Sequence, residues 1–201
     1  MTINAFNLID GIDGLAIGLG IIGGLFYFSS FYQFDDLNLL IFSIALCTGL
    51  LGLLYFNLSK RNKIFLGDTG SLLIGGLLVF FALNFISTSG RPGASSSFFM
   101  VMGSLLIPMF DMIRLTIVRS SKKVSPFRAD REHIHHIVLD LLKGNHVLTS
   151  ILILISQLTV IYIFTMLSVL KSTYLIAILS MAFVAYYALV ELLRKRRGPG
   201  G

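Results

Sequence analysis

Six apolar runs divide this chain, each close to the length needed to cross a lipid bilayer: residues 14–31, 38–57, 71–87, 98–118, 148–170 and 173–193. A spanning helix takes about 20 apolar residues, with a range of roughly 17–25. Backbone polar groups in hydrocarbon must be satisfied within the segment, which makes runs of this length helical. The expectation is an all-α, polytopic transmembrane helix bundle of about six spans. Residues 1–193 form one transmembrane domain and residues 194–201 a basic tail. Composition agrees: 13% of residues are charged, against about 25% in soluble domains. Cys47 stands alone in an apolar run, which excludes an internal disulfide framework.

The net charge of +6 does not point to nucleic acid, because no reading module accompanies it. The basic residues sort by loop instead. Lys60, Arg61 and Lys63 follow the second run. Arg119, Lys122, Lys123, Arg128, Arg131 and Lys143 follow the fourth, and Arg194 to Arg197 follow the sixth. The opposite loops hold only Arg91 and Lys171, with the acidic pair Asp35 and Asp36. The positive-inside rule then places residues 1–13, 58–70, 119–147 and 194–201 in the cytoplasm. No basic segment of a cleavable signal precedes the first run. Residues 88–97 read as a flexible outer loop. Cysteines introduced singly at Ser89 and Ser121, in a Cys47→Ala background, should therefore label from opposite sides of intact cells. Labelling of the Ser121 position by an impermeant reagent from outside would reverse the topology.

Three polar motifs fall on the basic side. In Asn4-Ala5-Phe6-Asn7-Leu8-Ile9-Asp10-Gly11-Ile12-Asp13-Gly14, a continuous helix would put Asn7, Asp10 and Asp13 at three-residue spacing on shared faces. Carboxylates so close repel unless a cation joins them, and hard oxygen ligands suit Mg²⁺ or Mn²⁺. The plain alternative is that Asp13 caps the first span. In Lys63-Ile64-Phe65-Leu66-Gly67-Asp68-Thr69-Gly70-Ser71, a Gly-flanked turn offers a carboxylate beside a helix N-terminus able to receive phosphate. Here too Asp68 or Thr69 could be an ordinary N-cap. In Ser125-Pro126-Phe127-Arg128-Ala129-Asp130-Arg131-Glu132-His133-Ile134-His135-His136, three histidines follow two arginines. Such histidines could bind Zn²⁺, but no cysteine is near and the arginines repel a dication, so a grip on phosphate oxygens fits better. Inside the fourth span, Asp111 and Arg114 have i,i+3 spacing for an ion pair.

Together these segments resemble the polyprenyl-phosphate N-acetylhexosamine-1-phosphate transferase superfamily. NAFNLIDGIDGLA (4–16), IFLGDTGSLLIG (64–75), PMFDMIR (108–114) and SPFRADREHIHH (125–136) carry the resemblance. The H-x-H-H pattern resembles the bacterial undecaprenyl-phosphate GlcNAc-1-phosphate branch rather than the muramoyl-pentapeptide one. The resemblance implies transfer of a sugar-1-phosphate, GlcNAc-1-phosphate in that branch, from a UDP-sugar to a polyprenyl phosphate with release of UMP. This step begins cell-envelope glycan synthesis at the cytoplasmic membrane of a bacterium. It further implies that Asn7 and Asp68 hold Mg²⁺, with Mn²⁺ the alternative. Asp10, Asp13, Asp68 and His135 would be catalytic. Phe65 would stack on uracil. Asn4, Asn57, Arg128, His133 and His136 would contact nucleotide or sugar phosphate.

The family also carries an adjacent aspartate pair ahead of the first motif, and this sequence starts three residues before that motif. The expectation is a C-terminal half, inactive alone, completed by the missing half or by a second copy. Two readings compete. A transporter would place its ionisable groups near mid-membrane along a path. A non-catalytic relative of the enzyme would keep the bundle without turnover.

Overall fold

The computed structural model describes residues 2–88, 94–121 and 131–197. Its elements are α1 (Thr2–Ile9), α2 (Leu15–Gln33), α3 (Leu37–Asn57), α4 (Gly67–Thr88), α5 (Ala94–Ser121), α6 (Ile134–Leu141), α7 (His146–Leu167) and α8 (Ser172–Arg197). Six of these helices are long and apolar enough to cross a membrane. The chain is an all-helical, multi-pass membrane protein.

The hydropathy pattern located all six spans, and side-chain caps fix two of their starts. Asp36 accepts the Leu39 N–H at 3.2 Å to begin α3, and Asn145 accepts the Leu148 N–H at 3.0 Å to begin α7. Elsewhere the polar motifs are more helical than expected. The third span starts at Gly67, so Asp68 lies in its first turn and is not its cap. Residues 94–97 of the expected outer loop already belong to α5, while 89–93 lie outside the described residues. The segment after the fourth span contains α6, which takes up His135 and His136. Its apolar positions Ile134, Ile137, Val138 and Leu141 recur at helical spacing and pack with Val190 and Leu193 of α8.

Helices α2 and α5 are the most enclosed, and α3 and α8 lie outermost. In lipid, helices associate through close packing rather than by leaving water, so small residues mark the contacts. Gly75 of α4 is the clearest case. A Cβ there would sit 2.9 Å from the Ile3 Cα and 3.1 Å from the Phe6 Cβ. Its missing side chain lets α1 lie directly on α4, one turn above Ser71 and two above Asp68.

Pro108 interrupts α5 and takes away the N–H that would bind the Ser104 carbonyl. Gln157 of α7 repairs the break. Its Nε2 donates to Gly103 O at 2.8 Å and Ser104 O at 3.0 Å, and its Oε1 accepts the Ile107 N–H at 3.3 Å. A buried glutamine opposite a proline kink thus satisfies groups that lipid could not.

Candidate active site

The polar motifs converge at one end of the bundle, in two clusters joined by a row of imidazoles. The first cluster lies where α1 meets the start of α4. Asn7 Nδ2 lies 3.1 Å from Asp68 Oδ1 and 3.0 Å from Ser71 Oγ. Ser71, buried behind them, donates to the carbonyls of Gly67 and Asp68. Asp68 is exposed in the first turn of α4, where the helix dipole favours negative charge.

Helix α1 ends at Ile9, which corrects the expectation that Asn7, Asp10 and Asp13 share one continuous helical face. The chain turns through Asp10–Gly14, so the three residues do not share a helical face, although the Asp13 carboxylate still acts on Asp10. Asp13 faces Lys63 at 2.6 Å and His146 at 3.6 Å, and Ser150 Oγ donates to its carbonyl at 2.7 Å. Nor does Asp13 cap the first span: Gly14 occupies that place without a side-chain bond, and its N–H goes to Asn57 Oδ1 at 2.7 Å. Asn57 also donates to Ile64 O at 2.9 Å. It is a buried clamp between the two motif loops, with both ends of its amide engaged. Phe65, seven-tenths exposed, projects from the clamped loop with the Lys63 ammonium 5.1 Å from its ring centroid.

Asp10 is half-buried between these groups. Burial, and then the carboxylates of Asp68 and Asp13, push its pKa from 3.8 up to about 6. The sign follows directly. A raised carboxylate pKa contributes stability that is full below 3.8 and is lost as pH rises through about 6. In EDTA, the thermal midpoint of the detergent-solubilised protein should therefore fall progressively as pH rises from about 4 to about 6.5. Buried Cys47 reports unfolding by reacting with a thiol dye. Asp10→Asn should remove that step, and an unchanged pH profile in the variant would show that the repulsion is absent.

The second cluster lies between α5 and α8. Asp111 and Arg114 form the expected i,i+3 pair at 3.1 Å, both buried. The cluster is larger than the pair. His133 Nδ1 lies 2.8 Å from Asp111 Oδ2, while Ile134 N–H and Tyr186 OH each donate to Asp111 Oδ1 at 3.2 Å. Arg114 also donates to Glu132 O and lies 3.7 Å from Glu191. Arg194 in turn pairs with Glu191 at 2.8 Å. Sequence reasoning missed Tyr186, Glu191 and Arg194. The signal was a lone acidic residue in the last span, which needs a buried cation to face.

The imidazoles link the clusters. His133 and His135 stack with centroids 5.6 Å apart, and His135 and His136 lie 4.1 Å apart. His135 is fully buried against the motif turn: a Cβ on Gly11 would collide with its Nε2. Burial, and then neighbouring His136 and His133, lower its pKa to about 3. Burial and Arg131 lower that of His136. Arg128 lies outside the described residues. Beside the row, a cavity of about 560 Å³ opens between α1 and α5. Asn4, Asn7, Arg119 and His133 supply its polar lining, and Leu72 and Leu115 part of its apolar wall.

An all-helical membrane bundle with an acidic, histidine-lined site at one end defines the class. Residues 1–86 match the model of glycosyl transferase family 4, and the chain belongs to this family. It is 34% identical over 140 residues to an undecaprenyl-phosphate alpha-N-acetylglucosaminyl 1-phosphate transferase of Yersinia pestis, covering 68% of this chain and 38% of that protein. It is 35% identical over 145 residues to the protein of the same name from Escherichia coli K12, covering 68% of this chain and 37% of that one. A decaprenyl-phosphate N-acetylglucosaminephosphotransferase of Mycobacterium leprae is 31% identical over 155 residues, 69% of this chain and 39% of that protein. The chain thus spans well under half the length of the curated relatives it matches.

Proposed function

We propose that this site transfers a sugar-1-phosphate, GlcNAc-1-phosphate, from a UDP-sugar to a polyprenyl phosphate at the cytoplasmic face of the bacterial inner membrane. The carrying observation is the meeting of an acidic cluster (Asn7, Asp10, Asp68), an imidazole row and a largely apolar cavity with a few polar groups at one end of the bundle. An oxygen of the lipid phosphate bonds to the phosphorus next to the sugar. The bridging P–O bond breaks, and UMP leaves with the electron pair. The nucleophile is already an anion, so the barrier lies mainly in bringing anions together.

The residues present fit Mg²⁺. Asp68 offers carboxylate oxygens beside the Asn7 amide, whose Nδ2 faces them here and whose Oδ1 a flip of the amide would present to a cation, and Asp10 feels uncompensated carboxylate charge there. Among the described residues no group of three or more His, Cys, Asp or Glu gathers as a metal cage. That suits an ion held by one or two side chains plus phosphate oxygens and water. Mn²⁺ takes the same ligands. When bound, the dication neutralises pyrophosphate charge. The cavity lining supplies both kinds of group that a lipid phosphate requires, Asn4 and His133 for the head group and Leu72 and Leu115 for the first isoprene units. Phe65 offers an exposed aromatic face to the uracil.

The test uses membranes carrying the complete gene product, UDP-GlcNAc, undecaprenyl phosphate and Mg²⁺. Release of UMP with formation of a lipid pyrophosphoryl sugar, both stopped by EDTA, is the expected result. Release of UDP, or no lipid product, would overturn the reading.

A further inference from the structure

We propose that Asp111 is a positioning residue: it holds His133 with Nδ1–H turned inward, so that Nε2 is the ring nitrogen presented to the cavity between α1 and α5. An ion pair with Arg114 does not account for the geometry. Arg114 meets Oδ1, whereas Oδ2 is given to the His133 ring at 2.8 Å. A carboxylate only accepts, so His133 Nδ1 must carry the hydrogen. The Ile134 N–H also donates to Asp111, at 3.2 Å, so the carboxylate grips both the ring and the backbone beside it. Backbone and ring held by one buried group leave His133 no freedom to turn. Tyr186 of α8 and Arg114 fix that carboxylate from its other side. His133 lines the cavity beside Asn7. With Nδ1 engaged inward, Nε2 is left to accept a proton from a phosphate and, once protonated, to donate to a phosphate oxygen.

The kinetic part of the test rests on the proposed transfer reaction; the spectroscopic part does not. In the chain labelled with ¹⁵N-histidine, in lipid nanodiscs, the His133 signal is assigned by its loss in His133→Gln. The expected wild-type spectrum shows a protonated Nδ1. A bare Nδ1 with protonated Nε2 would overturn the proposal, whatever the variants do. Asp111→Asn should shift the Nδ1 signal, and Asp111→Glu should restore it in part. In the complete gene product, Asp111→Asn should lower kcat about 10–100-fold with little change in KM, as loss of an orienting partner does. The double variant Asp111→Asn/His133→Gln should be no slower than His133→Gln alone. Independent, multiplying losses would make Asp111 a purely structural residue. An oriented His133 in a protein that forms no lipid product would uphold the positioning and reject the reaction.

Discussion

Asp68→Asn in the complete gene product is expected to lower turnover by about 10²–10³-fold, the usual cost of losing one preorganised electrostatic group. The protein should still assemble normally. Asp68 is exposed in the first turn of α4 and bears no packing load. Among the described residues its carboxylate hydrogen-bonds the Asn7 amide alone, at 3.1 Å, and an asparagine keeps an oxygen there to accept that bond. What the substitution removes is charge. Asp68 is also the larger of the two carboxylates that raise the pKa of Asp10. Asp68→Asn should therefore bring the Asp10 pKa down from about 6 while the reaction slows. That pairing separates a metal-site role from a helix-terminus role, which would cost stability and leave turnover intact. Near-normal turnover at saturating Mg²⁺ would falsify the assignment of Asp68.

The sequence displayed some of this arrangement and concealed the rest, for physical reasons. Spans are legible because the bilayer imposes one length and one polarity on every crossing. Asp111 and Arg114 announced themselves because charge inside a span needs a partner within reach. The turn that takes Asp10 and Asp13 off a common helix was not legible. Spacing of three residues implies a shared face only while a helix continues, and α1 stops at Ile9. The clamp by Asn57 was hidden because it joins residues 43 positions apart through a backbone N–H that no motif marks. Gln157 was readable in principle. A proline inside a span frees a carbonyl, and a lone glutamine in another span is the group able to take it. The contact of His135 with Gly11 follows only from how α6 docks, which depends on the apolar stripe facing α8.

Arg114 carries the largest expected effect on stability. Its side chain is wholly buried, bonded to Asp111 at 3.1 Å and to Glu132 O, with Glu191 at 3.7 Å. Arg114→Met removes the cation and leaves the Asp111 carboxylate in place. Removing one partner of a buried pair costs about 3–5 kcal/mol, because the other charge stays buried. At roughly 2–4 °C per kcal/mol for a chain of this size, the melting point followed by Cys47 labelling should drop by about 10 °C. Glu191→Gln should cost much less. Glu191 is farther from Arg114, and its second oxygen already holds Arg194 at 2.8 Å near the surface. The informative comparison is Arg114→Met with Asp111→Leu. Replacing both charges by apolar groups of similar volume leaves no lone buried charge from the pair, although His133, the Ile134 N–H and Tyr186 lose their acceptor, so the double variant should melt above Arg114→Met alone but below the wild type. It should nevertheless remain slow, since His133 has lost the carboxylate that holds its ring. Recovery of the melting point without recovery of turnover would separate the two tasks of this cluster, binding α5 to α8 and aiming an imidazole. Recovery of both would mean that the cluster only binds helices together.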